Sequence, residues 1–265
     1  MLARPLITLT TDFGPGSPYV AQMKGVILSQ CREVDLVDIT HAVAPQNIRE
    51  GAVVLADATP RFPVGTIHVA VVDPGVGTSR RLIYAEIGAQ RYLAPDNGLV
   101  SLLVWQTAPS RMLVLENRDY WLPQTSRTFH GRDILAPVAA HLAAGIDPVR
   151  LGPAHSSPVI LEMAPLRKTA SSVTGEVIYV DSFGNAITNI SADDVMPLGD
   201  NARLTVECQE RTIHGLIPTY GAALPGELVA LFDSQGRLEI ARAGGSAARE
   251  LGIAAGTRVH VAGQV

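Results

Sequence analysis

The strongest constraint on the fold is a regular alternation of two patterns over the first 150 or so residues. Short, apolar, β-branched runs typical of buried parallel strands alternate with stretches of helical periodicity. The strand-like runs are Leu6–Thr10, Val34–Ile39, Thr66–Val72 and Met112–Leu115. Because strands that alternate with helices form layered sheets, this part is predicted to be an α/β sandwich around a mainly parallel sheet.

Three stretches between these runs carry an apolar stripe at helical spacing. The second is predicted to open after Pro45, and the third to stop at Gly145, a residue suited to a helix C-terminus. Pro137 falls near the start of the third helix, where its missing N–H costs least. The stripes are Tyr19, Met23, Val26 and Ile27; Ile48, Ala52 and Leu55; and Ile134, Leu135, Val138, Ala139 and Leu142.

The pattern changes near Pro153–Pro165, and after this segment short strands and turns predominate. We therefore predict an N-terminal α/β domain over 1–153, a linker over 154–170 and a C-terminal domain over 171–265. The second domain is expected to be a small antiparallel β-barrel. One or two helical turns are expected within it, at Ser246–Leu251. Its predicted strands are Ser172–Val180, Ala186–Ile190, Leu204–Cys208, Glu227–Phe232, Leu238–Ala241 and Arg258–Val261.

Composition excludes several classes of function. With 25 acidic and 21 basic side chains the net charge is -4, which argues against nucleic acid as a partner. No apolar run approaches the roughly 20 residues that span a membrane. Cys31 and Cys208 are too few for a disulfide framework, and the first residues lack the layout of a signal peptide. A cytoplasmic protein without a membrane partner is expected.

Three strand-like runs of the first domain end in an aspartate: Asp12, Asp73 and Asp96. The carboxyl ends of parallel strands lie along one edge of a sheet, where α/β proteins bind ligands. Alternatively, each aspartate is only a turn residue, and Asp96 fits this interpretation best because Asn97-Gly98 follows it. Three in one domain favour a site.

Neither a phosphate loop nor a metal site is predicted. Gly75-Val76-Gly77, after Asp73, lacks both the Gly-Lys-Ser/Thr of a P-loop and the third glycine of a dinucleotide fingerprint. The histidines show no metal-ligand spacing, and His68, inside an apolar strand, is interpreted as structural. His130 lies just before a predicted helix, where its side chain is available to a cleft. No metal and no cofactor are expected.

A polar loop with one aromatic residue, Asp181–Asn185, joins two predicted strands of the second domain. It is equally consistent with a plain hairpin loop and with a binding loop. In a binding loop, Phe183 would lie against a flat heterocycle while Asn185 reads the edge of that ring.

Taken together, eight short motifs along the whole chain resemble the S-adenosyl-L-methionine (SAM) hydroxide adenosyltransferases, relatives of the fluorinases and chlorinases. Any one of the motifs is weak, but eight in order are specific. They are Thr11-Asp12-Phe13-Gly14, Met23-Lys24-Gly25, Asp38-Ile39-Thr40-His41, Val72-Asp73-Pro74-Gly75-Val76-Gly77-Thr78, Pro95-Asp96-Asn97-Gly98, Thr128-Phe129-His130-Gly131-Arg132-Asp133, Asp181-Ser182-Phe183-Gly184-Asn185, and Ser234 with Leu238-Glu239-Ile240-Ala241.

The resemblance implies an enzyme that hydrolyses SAM to adenosine and L-methionine by water attack at the 5′ carbon. It also implies a homotrimer with sites at subunit interfaces. Asp73, Arg80 and His130 correspond to the set that positions the water, and Asp12 to the carboxylate that holds the ribose diol. SAM is the substrate in this reaction, not a cofactor.

Further residues are assigned to substrate binding by the same resemblance. Phe183 and Asn185 correspond to residues around the adenine, and Ser234 and Glu239 to a segment that meets the methionine and adenine ends. Two residues within the matching motifs complete the expected substrate set: Phe129 and Asp181.

Two other functions stay open at this point. A halogenase is disfavoured because the fluorinases and chlorinases have tyrosines where Asp73 and His130 stand and a tryptophan at the position of Gln46. A SAM or adenosine sensor without catalysis would need only the ribose and adenine contacts. Retention of the water-positioning set therefore argues against a sensor.

Overall fold

The computed structural model describes residues 4–263, which form two compact units that divide between Leu161 and Glu162. No helix in this range is long and apolar enough to cross a membrane.

The first unit is built on a mixed sheet. Among its described residues the strands are β1 Leu6–Thr11, β2 Asp35–Thr40, β3 Ile67–Val71, β4 Leu82–Ile87, β5 Gln90–Pro95 and β6 Pro109–Val114. The strand order is β2-β1-β3-β5-β4-β6, with β2, β1, β3 and β5 parallel. Strand β4, which the sequence pattern did not predict, pairs antiparallel with both β5 and β6. The α/β prediction is confirmed, and the carboxyl ends of β1 and β3 lie side by side in the parallel part of the sheet.

Helices cover this sheet at the three predicted stripes and at one further segment, Ser101–Gln106, that no stripe predicted. Those of the first unit are α1 Pro18–Gln30, α2 Ile48–Ala58, α3 Ser101–Gln106 and α4 Ala136–Ala143. A π-helical turn over Gly131–Leu135 leads into α4. The remaining short turns of the unit are 3-10 helices at Thr59–Arg61, Arg118–Tyr120 and Pro148–Leu151.

The helix ends follow from local chemistry. Ser17 caps α1 by accepting a hydrogen bond from the backbone N–H of Tyr19, and Pro18 is the first residue of the helix. Asn47 caps α2 in the same way through the N–H of Glu50. These caps set where α1 and α2 begin, and therefore where the loops after β1 and β2 end.

The core of the first unit lies between α1, α4 and one face of the sheet. Met23 and Ile27 of α1 are fully buried there, as is the whole predicted stripe of the third helix. Three stripe positions differ from the prediction: Tyr19 is half exposed, and Val26 and Ile48 are only partly buried. Tyr19 and Ile48 lie in the first turn of their helices.

The second unit is an antiparallel, nearly closed barrel, as predicted. Its described strands are β7 Arg167–Lys168, β8 Ser172–Val180, β9 Ala186–Ser191, β10 Leu204–Cys208, β11 Arg211–His214, β12 Leu228–Phe232, β13 Arg237–Arg242 and β14 Arg258–Gly263. They follow the order β11-β10-β14-β8-β9-β13-β12, with β7 on β8. The sequence missed β7 and β11, which are short and mostly exposed.

Helices in this unit are short and connect strands. They are α5 Ala192–Val195 and α6 Ala247–Leu251, with 3-10 turns at Met196–Leu198, Asn201–Arg203 and Tyr220–Ala222. The barrel interior is filled by alternate residues such as Val206, Ile240 and Val261. Cys208 is part of this core, and burial raises the pKa of its thiol to about 11, so the thiol stays protonated and unreactive.

Candidate active site

Two of the three strand-end aspartates meet at one cavity. Asp12 directly follows β1, and Asp73 lies just beyond β3, the neighbouring parallel strand. Both line a cavity of about 280 Å³. The other lining residues are Phe13, Gln46, Val71, Pro74, Val76, Thr128, Phe129, His130 and Gly131.

Asp96 has a different role. Its carboxylate lies 2.9 Å from His155 Nε2 and accepts a 2.8 Å hydrogen bond from the backbone N–H of Val159. It therefore ties the end of β5 to the last segment of the first unit. The interpretation of Asp96 as a structural residue agrees with these contacts.

Asp73, Arg80 and His130 form one connected set. The Asp73 carboxylate accepts hydrogen bonds from Arg80 Nε at 2.8 and 2.9 Å, and Arg80 Nη2 donates to its Oδ2 as well. Nη2 also lies 2.9 Å from Nδ1 of His130. The Arg80 and Asp73 side chains are only 10% and 6% exposed, so this ion pair is largely shielded from water.

The contact with Arg80 determines the protonation state of His130. A guanidinium has only donors, so Nδ1 must accept, and the neutral ring then carries its proton on Nε2. Burial lowers the pKa of His130, and the adjacent Arg80 charge lowers it further, while Asp73 opposes this. A hydrogen bond from the ring to the Ser126 backbone opposes this lowering as well, and His130 is a neutral residue with its proton on Nε2.

A tight loop brings Arg80 back to Asp73. Val76 donates to the Asp73 carbonyl, and Thr78 donates to that of Gly75 through both its backbone N–H and its hydroxyl. Gly77 has a φ of +80°, and a Cβ there would lie 2.4 Å from the carbonyl oxygen of Arg127. This position requires glycine on both grounds. The glycines around Asp73 therefore serve close packing of the loop against the segment that leads to His130.

His130 is positioned by the helical run that follows it. A Cβ at Gly131 would come within 3.1 Å of the Val71 side chain, so glycine lets this run approach the end of β3. Pro137 cannot donate to the carbonyl of Asp133, and that carbonyl instead accepts from the N–H of Leu122. The fully buried Asp133 carboxylate accepts from the N–H of Ser126, which anchors the loop before His130.

Phe129 belongs to an aromatic group at the cavity. Its ring contacts those of Phe13 and Tyr19 edge-on, at centroid distances of 5.6 and 5.3 Å. Phe13 and Phe129 line the cavity together with the carboxylates of Asp12 and Asp73. Among the described lining residues none carries a permanent positive charge, because Arg80 lies outside the lining. The cavity therefore favours a ligand that is cationic and partly apolar.

Asp12 is held by the loop opposite. Its Oδ2 accepts a 2.8 Å hydrogen bond from the backbone N–H of Gln46. Gln46 has a left-handed backbone with a φ of +66°, which is unfavourable for a residue with a side chain. Strain of this kind persists where neighbouring structure enforces it, commonly at functional sites.

In the second unit, the loop that joins β8 to β9 is organised by Asp181. Its Oδ1 accepts hydrogen bonds from the N–H groups of Phe183 and Asn185, at 2.9 and 2.8 Å, and its Oδ2 accepts from Asn185 Nδ2 at 3.0 Å. Asn185 is consequently 7% exposed, whereas Phe183 is 78% exposed. All three line a cavity of about 760 Å³ with Tyr220 and Ser246. An exposed aromatic ring beside a fixed amide suits a flat polar ring, so the binding-loop interpretation is favoured over a plain hairpin.

Glu239 and Ser234 are not in the described lining of this cavity. Glu239 is 3% exposed and accepts a 2.6 Å hydrogen bond from the Tyr220 hydroxyl. Burial raises the pKa of Glu239, and the charges of Asp181 and Asp233 raise it further, although the bond from Tyr220 opposes this. Ser234 is exposed in the turn between β12 and β13. Sequence reasoning missed Tyr220, which has no motif around it and is recognised only through its contact with Glu239.

Histidines outside the cavity have structural contacts. His68 is fully buried, lies 2.7 Å from the Thr8 hydroxyl and stacks on Tyr92. Burial lowers its pKa to about 4, so it is neutral, and the structural interpretation agrees with these contacts. No group of three or more His, Cys, Asp or Glu side chains suited to a metal ion occurs among residues 4–263.

The chain is similar to known proteins over almost its whole length. Family models described as the N-terminal and C-terminal domains of SAM hydroxide adenosyltransferase match residues 7–152 and 175–260. A Salinispora tropica protein named (R)-S-adenosyl-L-methionine hydrolase is 40% identical, with 98% of this chain and 99% of that protein covered. A fluorinase of Actinopolyspora mzabensis is 28% identical, and the match covers 98% of this chain and 97% of that protein. A crystal structure of an uncharacterized conserved protein from Thermotoga maritima superposes with a TM-score of 0.91 at 36% identity, covering 97% of this chain and 99% of that one.

Fold and site together define a two-domain enzyme with an α/β unit whose strand ends carry carboxylates and a second unit built as a small barrel. Because the two family models cover well over half of its residues, the chain belongs to the SAM hydroxide adenosyltransferase family.

Proposed function

We propose that this protein hydrolyses SAM to adenosine and L-methionine by attack of water at the 5′ carbon. The observation that carries the proposal is the connected set of Asp73, Arg80 and His130 on the cavity that Asp12 also lines. The names of the hydrolases at 40% identity support the same activity.

The charge of the cavity fits this substrate. SAM carries a sulfonium, and the cavity offers two carboxylates and two phenylalanine rings. When the bond from sulfur to the 5′ carbon breaks, the positive sulfur becomes a neutral thioether. The leaving group therefore needs neither a general acid nor a metal, and we propose that the reaction proceeds without a cofactor.

The difficult part of the reaction is the nucleophile, and three side chains address it. A carboxylate offers about four acceptor positions, so Asp73 can bind Arg80 and still accept a proton from water. His130 is assigned to fixing the position of the same water. Arg80 touches both residues from outside the described lining, so we assign it to orienting the Asp73 carboxylate and keeping His130 neutral. Such positioning of a water beside its base supplies a large part of the rate.

The substrate's ribose is assigned to Asp12 and its adenine to the loop of Asp181, Phe183 and Asn185, with Phe129 beside the sulfonium. Ser234 and Glu239 are proposed to serve the methionine and adenine ends. We propose a homotrimer in which each site combines the first unit of one subunit with the second unit of another, as the family resemblance implies. The cytoplasm is the proposed location, because Cys31 and Cys208 are free thiols.

A halogenase is the second candidate, favoured only by the relatives named fluorinase at 28–29% identity. A halide in this cavity would face the carboxylates of Asp12 and Asp73 with the compensating Arg80 charge behind them. Water has no such repulsion to overcome and gains an acceptor for its proton.

One incubation separates the candidates. Protein and SAM are mixed with and without molar chloride or fluoride, and the nucleosides are resolved by chromatography. Hydrolysis yields adenosine whatever the salt, a halogenase yields a 5′-halogenated nucleoside, and a binding protein leaves SAM intact. A halogenated product, or no conversion, would contradict the proposal.

A further inference from the structure

The loop that carries Asp12 is tied to His41 at two points. Thr11 Oγ1 lies 3.0 Å from Nδ1 of His41, and the N–H of Gly14 donates a 2.8 Å hydrogen bond to the His41 carbonyl. Thr11 and Gly14 flank the two residues that line the cavity, Asp12 and Phe13. His41 follows β2, the strand next to β1, and is not itself among the described lining residues.

A chain of polar contacts leads from Lys24 through Asp38 and His41 to Thr11. The Lys24 ammonium donates to Asp38 Oδ2 at 2.6 Å, and Asp38 Oδ1 lies 3.0 Å from Nε2 of His41. His41 Nε2 is buried without a well-aligned hydrogen-bond partner among the described residues, and the nearby Asp38 carboxylate favours the ring proton on that nitrogen, which leaves Nδ1 to accept. The N–H of Phe13 already donates to Thr11 Oγ1, at 3.2 Å, and the hydroxyl proton is therefore free to point at Nδ1.

The carboxylate of Asp12 is thus fixed from two sides. On one side the N–H of Gln46 occupies Oδ2, and on the other His41 holds the loop on which Asp12 stands. A bidentate contact with two adjacent hydroxyl groups tolerates little rotation of the carboxylate. Small errors in the placement of such a group are costly to binding and rate.

We propose that His41, held by Asp38 and acting through Thr11, is a positioning residue that presets Asp12 for the ribose diol of the substrate. This inference rests on the proposed function, since it takes the ribose to be the group that Asp12 binds. His41 touches neither the water nor the 5′ carbon, so its loss weakens nucleoside binding more than the chemical step.

The protein contains its own matched control. Thr8 precedes Thr11 on β1, and its hydroxyl lies 2.7 Å from Nδ1 of the fully buried His68 on β3. This is the same type of contact in the same sheet, but neither residue lines the cavity. Substitutions at Thr8 and His68 therefore measure how much stability is lost with such a bond when the loop that carries Asp12 is not involved.

The test compares Thr11→Val, which keeps the shape of the side chain but removes the hydroxyl, with Thr11→Ser, which keeps the hydroxyl. His41→Asn and the control His68→Asn complete the set. For each we would measure the dissociation constant of adenosine by calorimetry, KM and kcat with SAM, and the thermal unfolding midpoint. Thr11→Val and His41→Asn should weaken adenosine binding and raise KM about fivefold or more, with a smaller change in kcat. Thr11→Ser should stay within about twofold of the native protein, and His68→Asn should lose stability but not affinity.

A double-mutant cycle with Asp12→Ala tests whether Thr11 acts through Asp12. If Thr11 acts through Asp12, Thr11→Val should add less than about twofold to the loss caused by Asp12→Ala. Full additivity, unchanged affinity in Thr11→Val, or an equal loss in His68→Asn would overturn the inference, as would native protein that does not bind adenosine. Native protein that binds adenosine but leaves SAM intact would refute only the hydrolase function, and the calorimetric comparison would still decide the role of His41.

Discussion

Replacing Asp73 by asparagine removes one negative charge from the site while keeping the shape of the side chain. In the native protein this carboxylate takes three hydrogen bonds from Arg80, and the pair is at most 10% exposed. An amide retains one acceptor oxygen, so the guanidinium keeps part of its hydrogen bonding but loses its counter-charge. The amide also has no basic oxygen to take a proton from water.

Two effects of different size follow. A positioned general base contributes about 10²–10⁴ to a rate, so kcat should fall by about that factor. KM should change by only a few-fold, since Asp73 is assigned to the water and not to SAM. Breaking a buried ion pair costs about 3–5 kcal/mol. Because the amide keeps part of the contact with Arg80, the free energy of unfolding should fall by an amount at the lower end of this range, about 3 kcal/mol.

Asp96→Asn is the matched control. Asp96 also follows a strand of the same sheet, and its carboxylate is buried against His155, but it lies outside the described lining of the cavity. The control should lose stability in a urea titration and keep its kcat. Discontinuous SAM assays on both variants, well below the unfolding temperature, separate folding from chemistry. Near-native kcat in Asp73→Asn, or an equal loss of kcat in Asp96→Asn, would refute the reasoning.

Three further predictions concern the metal, the oligomer and a buried histidine. Hydrolysis should survive exhaustive treatment with EDTA, and activity that disappears and returns with a divalent ion would contradict the proposed chemistry. Mixing Asp12→Ala with Asn185→Ala protein should restore part of the activity after subunit exchange, whereas no recovery despite proven exchange would place both residues of a site in one subunit. Burial lowers the pKa of His68 to about 4, so only the unfolded chain takes up this proton between pH 6.5 and 4, and the free energy of unfolding should fall by about 3 kcal/mol over that range. Urea titrations of His68→Asn should lack this part of the pH dependence, and an unchanged profile would disprove the assignment.

Local patterns were sufficient for most of the elements. The predicted strands Ser172–Val180 and Leu204–Cys208 match their observed limits, because alternation of side chains between a core and solvent leaves a clear signal. Strand β4 was missed, although it is well buried. It forms a hairpin with β5 in which Ile87 pairs with Gln90, and this pairing adds an antiparallel part to the mainly parallel sheet.

Motifs at strand ends also identified the candidate site residues, but not which of them meet. The sequence placed Asp12, Asp73 and Asp96 in equivalent positions, and strands β1 and β5 are both parallel neighbours of β3. Only the lining of the cavity showed that Asp12 and Asp73 lie together and that Asp96 does not join them. Arg80 had no signal of its own beyond the family resemblance. Its contact with His130 spans fifty positions of the chain, and no periodicity reports such a distance.

The sequence by itself determined the class of fold, the division into two kinds of domain and the family, because these depend on periodicity, turn residues and short motifs that are read locally. The tertiary structure decided which side chains share a site and in which protonation state. It set the neutral state of His130, the isolation of Asp96 from the cavity and the contact between Tyr220 and Glu239. These properties depend on burial and on distances of about 3 Å between groups far apart in the chain, and they exist only after the strands and loops have packed.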